Sequence, residues 1–447
     1  MNHSKDFRYR RFWNWFPMGF TYALLYMGRY NLTVSKNALG DLMSKADFGF
    51  IFGVGAVVYA VSFLINGPLV DRIGGKKGIL IAALGAGAMN LAMGFYLWHV
   101  LGMENPSAAP LKMIFAILYG ANMYFQSYGA VSIVKVNAHW FHVNERGTFS
   151  GIFGIMISSG VFLAFDVSLR ILESPFVVGK GIAGGDALWW VFLSPGFLLL
   201  VFFVVEIFLL RDTPSQAGFQ DFDTSDASSG EDMEKPIPTL QLMKRILTNP
   251  IILTVAGIEF CTGVLRNGVM HWFPIYAKEQ VAAGASASAG WNFTLHNWGL
   301  ILMIAGIIGG NLAGIMSDKL FQSRRAPSAG FLYGLLAVSI VVMAFSLGNG
   351  WLLGFLVFLM SLCVIGTHGL LSGTATMDFG GRKGAATAVG IIDGFVYLGT
   401  AVQSFSLGYI TTRDWSMWPW FLLPFGIIGF VLLLRIWHAK PGQKAAH

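Results

Sequence analysis

Twelve apolar runs, each about as long as a bilayer's hydrocarbon core is thick, recur along the 447 residues and leave the chain few ways to fold. A spanning helix takes about 20 residues. Runs of that order lie near 12–36, 48–70, 78–101, 112–138, 147–170 and 187–210, and again near 250–276, 291–316, 328–348, 350–376, 385–411 and 415–437. In hydrocarbon every backbone N–H and C=O must be satisfied within the chain, so each run is read as a helix. Hydrophobic residues make up 55% of the sequence and charged ones 12%, half the share of about 25% found in soluble domains. The expectation is an all-α membrane protein of twelve transmembrane helices in two pseudo-symmetric six-helix bundles, 1–210 and 250–447, joined by a linker over 211–249.

The linker contains Asp221-Phe222-Asp223-Thr224-Ser225-Asp226-Ala227-Ser228-Ser229-Gly230-Glu231-Asp232, acidic, Ser-rich and poor in apolar residues, which predicts a flexible connection. Even numbers of spans put both termini and this linker on one side. Of the 30 basic residues, 20 fall on that side, 7 in the opposite loops and 3 within spans, so both termini are expected to be cytoplasmic in a multi-pass protein of the cell (inner) membrane. The net charge of +7 is therefore a topological signal, and no nucleic-acid partner is expected. The first apolar run is of membrane length without a cleavage site and reads as a retained helix. Cys261 and Cys363 both lie in apolar segments and give neither a disulfide framework nor a metal spacing. No nucleophile constellation or phosphate loop is present, so the chain is not read as an enzyme, and no cofactor or metal is expected.

Two arginines interrupt this apolar background. Arg266 lies in Gly263-Val264-Leu265-Arg266-Asn267-Gly268, and Arg29 follows Tyr26 by three residues and Tyr22 by seven, roughly one helical face. An intramembrane charge is expensive and is tolerated facing a bundle interior or a wet cavity, which makes each arginine a candidate site residue. Their offset, 266 − 29 = 237, recurs between Gly147 of Glu145-Arg146-Gly147 and Gly384 of Arg382-Lys383-Gly384, since 384 − 147 = 237. A third pair, Gly67-x-x-x-Asp71-Arg72 with Lys76-Lys77 and Gly314-x-x-x-Asp318-Lys319 with Arg324-Arg325, is offset by 314 − 67 = 247. Two homologous halves explain all three, a known transporter plan. Glycines four apart, Gly147 and Gly151, Gly306, Gly310 and Gly314, Gly390 and Gly394, predict close helix packing by the fifth, eighth and eleventh spans at the interface between halves.

The run Gly67-x-x-x-Asp71-Arg72-x-Gly74-x-Lys76-Lys77, with its degenerate copy at Gly314 to Arg325, resembles the loop signature of the major facilitator superfamily. Within it the chain is most similar to the organophosphate:phosphate antiporters. The similar segments are Tyr26-x-x-Arg29-x-Asn31, Asp47-Phe48-Gly49-Phe50, His139-Trp140-Phe141, Arg211-Asp212-Thr213-Pro214-Ser215 with Gly218, and Leu265-Arg266-Asn267-Gly268 with Trp272, Pro274 and Tyr276. The resemblance implies a central cavity in which Arg29 and Arg266 bind phosphate, with Tyr22, Tyr26, Tyr59 and Lys135 beside them. It also implies a gating clasp built from Gly67, Asp71, Arg72, Lys76, Lys77, Asp318 and Lys319. Paired guanidinium forks suit a phosphate of about two charges.

The departures matter as much. Ile157 and Phe63 stand where that family has a histidine and a lysine, whereas Glu259, Asp393 and Asp166 add acids outside the pattern. Glu259, seven residues before Arg266, reads either as its ion-pair partner or as a titrating group, and with Asp393 it is a coupling candidate; Asp166 reads as a cap or an interfacial group. His271, His296 and His368 read as satisfied interior histidines. The expected function is secondary transport of a small phosphorylated or other organic anion, as a monomer in the lipid bilayer, with inorganic phosphate as counter-substrate and rocking alternating access. A proton-coupled organic-anion symporter and a transport-inactive sugar-phosphate sensor are the alternatives.

Overall fold

The computed structural model describes residues 3–222, 244, 247–284, 289–321 and 324–438, with backbone alone at 71, 138, 143–144, 146–153, 183, 318 and 373–388. Twelve helices of eighteen residues or more account for most of it: α1 Lys5–Leu39, α2 Lys45–Ile73, α3 Gly75–Leu101, α4 Leu111–Trp140, α5 Val143–Phe162, α6 Trp190–Leu209, α7 Pro250–Met270, α8 Trp298–Ile315, α9 Arg325–Ala344, α10 Gly350–His368, α11 Thr376–Arg413 and α12 Met417–Arg435. They match the twelve expected spans in order. Most of the expected linker lies outside the described residues. Among the described residues nine helices are long and apolar enough to cross a membrane; α1, α4 and α11 are not among them, and α7 is the least apolar of the nine.

Several helix ends explain the motifs that mark the sequence. Ser44 and Asp47 form a capping box at the start of α2, with Ser44 Oγ accepting from Asp47 N at 3.0 Å and Asp47 Oδ2 accepting from Ser44 N at 3.2 Å. Gly49, next in that motif, lets α2 press against the Ser404 carbonyl of α11, where any Cβ would collide. Asp212 caps α3 from the far end of the half, its Oδ1 accepting from Lys76 N at 2.7 Å. Trp140 donates from Nε1 to Arg211 O at 3.1 Å, and Asn14 exchanges two hydrogen bonds with the Arg211 backbone. Asp212, Trp140 and Asn14 thus staple α1, α3, α4 and the end of α6 together at the end that carries the N-terminus.

Two expectations about continuity change. The eighth span is broken: Ala289–His296 ends at Asn297, whose dihedrals (φ −118°, ψ 21°) leave the helix, and α8 starts afresh at Trp298. Asp166 is the reason the new N-terminus is stable. It lies in a π-helical turn, Leu163–Val167, that continues α5, and its carboxylate accepts from Gly299 N at 2.6 Å and Leu300 N at 2.9 Å. A carboxylate on exposed helix-terminal N–H groups is a charge-assisted cap, so Asp166 is a cap, one supplied by the other half. The seventh span likewise bends at His271 and continues as Trp272–Ala282.

The halves meet along α2 with α11 and along α5 with α8. Gly390 and Gly394 approach the carbonyls of Phe63 and Ala60, and Gly306 faces Ser158, as the glycine spacing predicts. Gly310 and Gly314 meet nothing within 4 Å, because the close approach at that level is made by Gly309 against Leu362 of α10. Gly147 and Gly151 lie among the residues whose side-chain positions are not described. At the end distal to the termini the halves are bonded: Thr33 Oγ1 to His271 Nδ1 at 2.7 Å, Asn37 Nδ2 to Pro274 O at 3.1 Å, Lys45 Nζ to Glu279 Oε1 at 3.1 Å, and the Asp166 cap. Phe48 packs edge-on against Trp272 and Tyr30 against His271 in the same layer. The distal end is closed.

Losing a helix cap costs about 1–2 kcal/mol, a factor of about 5–30 in a two-state ratio. Asp166→Ala should therefore enrich separated distal ends several-fold, read as longer distances between spin labels in the 102–110 and 345–349 loops. An unchanged distance distribution would show that the cap does not hold the halves.

Candidate functional site

The polar side chains converge on the helices that are least apolar. Arg29 of α1 is completely buried. Its Nε donates to Gln126 Oε1 of α4 at 2.8 Å, Nη2 to Tyr59 Oη of α2 at 2.8 Å, and Nη1 to Tyr397 Oη of α11 at 2.6 Å. The guanidinium lies 4.8 Å from the Tyr26 ring centroid and 4.6 Å from that of Tyr59. All of these recorded partners are neutral. A buried cation held this way keeps its charge uncompensated, a cost of several kcal/mol that hydrogen bonds and ring faces offset only in part.

An amide ladder fixes Arg29 from behind. Asn31 donates to Asn90 Oδ1 at 3.0 Å, Asn90 to Asn122 Oδ1 at 3.2 Å, and Gln126 to Asn122 Oδ1 at 3.1 Å; Asn90 and Asn122 both donate to Gly28 O at 3.1 Å. Tyr119 adds a bond to the Arg29 carbonyl at 3.0 Å. A side chain at Gly28 would strike Asn90, so the glycine before the arginine is what lets the ladder close.

Arg266 of α7 is half-buried, and its Nε has no hydrogen-bond partner among the described residues. The phenols of Tyr26, Tyr30 and Tyr397 lie within electrostatic reach of both Arg266 and Arg29. The structure therefore brings the two arginines to one set of tyrosines, one arginine from each half. Tyr59 and Tyr397 accept from Arg29, which leaves each hydroxyl hydrogen able to be donated to an anion between the guanidinium groups. Such an anion would gain charge-assisted bonds in a water-poor setting.

The other expected residues separate from this centre. Tyr22 is buried against Tyr26, with ring centroids 5.3 Å apart. Lys135 is half-buried on α4, nine residues from Gln126 or about 13.5 Å along the axis, nearer the terminal end than Arg29. Phe63 packs on Tyr59 and Tyr397, at 4.4 and 6.0 Å between centroids. Of the clasp, Gly67 is buried, Arg72, Lys77 and Lys319 are exposed, and Lys76 donates from Nζ to Ile207 O at 2.7 Å. The side chains of Asp71 and Asp318 fall outside the described residues.

The acids and histidines need correction. Glu259 does not pair with Arg266: two helical turns separate them, and Glu259 Oε2 instead lies 2.7 Å from Nδ1 of His368 on α10. Asp393 Oδ1 accepts from Ser372 at 2.6 Å. His296 is exposed rather than interior, with Nδ1 2.9 Å from Asn292 O. His271 is interior but only half satisfied, Nδ1 bonding Thr33 while the buried Nε2 has no partner. Tyr397 and Gln126 are the site residues that sequence reasoning missed. Their signals were present: Tyr397 follows Asp393 by one helical turn, and Asn122 with Gln126 makes a polar pair four apart in an apolar run.

A profile of the Major Facilitator Superfamily matches residues 18–404. The chain is 26% identical over 438 residues to the glycerol-3-phosphate transporter of Bacillus subtilis (strain 168), an alignment covering 95% of this chain and 91% of that one. It is 26% identical over 460 residues to a probable hexose phosphate transport protein of Chlamydia pneumoniae, covering 98% and 93%. It is 25% identical over 447 residues to the membrane sensor protein UhpC of Escherichia coli (strain K12), covering 95% and 91%. Among solved structures, a bacterial homologue of the human lysosomal transporter Spinster, inward-facing and unoccupied, aligns over 99% of this chain and 100% of that one with a TM-score of 0.72 at 13% identity, a likeness of fold.

Replacing Arg29 or Arg266 by lysine keeps the charge but removes the planar fork. Each variant should lose tenfold or more in affinity for inorganic phosphate by calorimetry on purified protein. Wild-type affinity in both would contradict a two-arginine anion site.

Proposed function

Since the chain belongs to the major facilitator superfamily, we propose that it is a secondary active transporter of a small phosphorylated metabolite, exchanged for inorganic phosphate by rocking alternating access. The observation that carries this reading is the buried Arg29, whose recorded partners are all neutral and which shares Tyr26, Tyr30 and Tyr397 with Arg266. Two guanidinium groups with no ion pair to a carboxylate among the described residues define a site for about two negative charges, the charge of a phosphate ester near neutral pH. The glycerol-3-phosphate and hexose-phosphate transporters among its relatives support the same substrate class.

Alternating access follows from where the contacts sit. The units 1–210 and 250–447 each contribute one arginine, so an anion bridging them draws the halves together at mid-depth. The distal bonds of His271, Lys45, Asn37 and Asp166 must then break for the other face to open. With both termini in the cytoplasm of a cell whose inner membrane holds the protein, the distal face is outward and the described arrangement is outward-closed. Tyr397 crosses from α11 to Arg29, so an anion that takes its place on Nη1 loosens a contact between halves at the moment of binding. The cytoplasmic clasp, Gly67, Asp71, Arg72, Lys76 and Lys77 with Asp318 and Lys319, would hold the opposite state.

The test is exchange. Proteoliposomes loaded with radiolabelled inorganic phosphate should release it when glycerol 3-phosphate or a hexose phosphate is added outside, and should retain it when an uncharged polyol is added. Binding of these esters without any release would instead mark a sensor that does not transport.

A further inference from the structure

Glu259 is a deeply buried acid of the second half. It has no exposed surface, and its Oε1 is buried without a hydrogen-bond partner. Its single recorded bond is the one to His368 Nδ1 at 2.7 Å. A buried carboxylate oxygen left unpaired costs more than a typical hydrogen bond returns, so the state of this pair depends on where its protons are. When Nδ1 carries the hydrogen that Glu259 accepts, Nε2 of the neutral ring is an acceptor. The His368 side chain keeps 23% of its surface exposed, while Glu259 keeps none, so the acid fixes the ring and the ring carries the pair's exposed surface. His368 ends α10 on the side of the chain termini, away from the closed distal end.

Among the described residues, few groups face the pair. From α7 come Arg266 and Cys261, from α9 Tyr333, and from α11 Asp393, the last held by Ser372 at 2.6 Å. Arg266 is the strong cation among them, two turns or about 10.5 Å from Glu259 along the axis. Its field opposes the gain of a proton by the pair, and the field of Asp393 favours it. An anion seated on Arg266 cancels the opposing field and leaves the favouring one.

We propose that Glu259 and His368 form a proton-binding site that loads when an anion neutralises Arg266, so that a proton accompanies the anion whenever counter-phosphate is lacking. The proposal rests on the phosphate reading of the two arginines. The proton comes from water on the open side, resides on Nε2 of His368 as an imidazolium bonded to the Glu259 carboxylate, and leaves when the anion departs and the Arg266 field returns. By linkage, lower pH tightens anion binding through this pair.

The experiment uses the full chain in proteoliposomes at pH 8 on both sides, without internal phosphate, with the membrane potential clamped by potassium and an ionophore and a pH dye trapped inside. Glycerol 3-phosphate is the probe. Wild type should carry about one proton per anion, and the proton-to-anion ratio should fall to near zero in His368→Gln and in Glu259→Gln. Phosphate-for-phosphate exchange in a parallel set of vesicles loaded with phosphate reports folding separately, because it needs no net proton. Wild type that exchanges phosphate but moves no proton with the ester overturns the inference and leaves the transport reading standing. An unchanged ratio in both variants overturns it too. Wild type that neither binds nor exchanges phosphate counts against the transport reading itself. Should both variants fail to fold, proton uptake by purified wild type on adding phosphate, against a ligand-only blank, decides the point: none above the blank overturns the proposal.

Discussion

A guanidinium buried in the middle of a membrane protein with only neutral partners has to be supported from every side, and much of the first half can be understood as that support. Arg29 donates one bond each to α2, α4 and α11, and its own helix is pinned by an amide ladder that reaches α3 and α6 through Asn31. These groups stabilise the position of the charge without neutralising it. The uncancelled field is what an anion finds, and it explains why the polar residues sit on α1, α4 and α11 at the expense of their apolar character.

Opening and closing draw on the same parts. At the distal end the halves are tied by a few polar bonds over an aromatic layer of Tyr30, Phe48 and Phe52 around His271. The Lys45–Glu279 pair is only partly buried, and ion pairs that keep contact with water contribute about 0–1 kcal/mol, so this tie is a weak part of the closure. The Asp166 cap is the firmest of these ties because it satisfies helix-terminal N–H groups that would otherwise have no partner.

Much of the architecture is legible in the sequence because hydrocarbon imposes a length and a polarity on each span and leaves little else to choose. The repeat offsets locate Arg29 and Arg266 for the same reason: a charge in such a run stands out. Partners are harder to read. Tyr397 lies 368 residues from Arg29 and Asp166 lies 133 from Gly299, and nothing local marks either contact. For Glu259 the sequence leaves an ion pair with Arg266 and a titrating role both open; the helical rise sets the two apart, and His368, on another helix, is the group within reach. Several motifs that mark the family prove to be mechanical: Asp47 and Asp212 cap helices, Trp140 holds the Arg211 turn, and Trp272 donates to Gln403 at 2.9 Å.

The central claim is that one anion sits between Arg29 and Arg266. Crystals soaked with tungstate, an oxyanion whose heavy atom can be located by anomalous scattering, test it most directly. The account predicts a single dominant peak in wild type, within hydrogen-bonding distance of both guanidinium groups and of the Tyr397 hydroxyl, and its loss in Arg29→Ala. A dominant peak elsewhere, or one that persists in that variant, would contradict it.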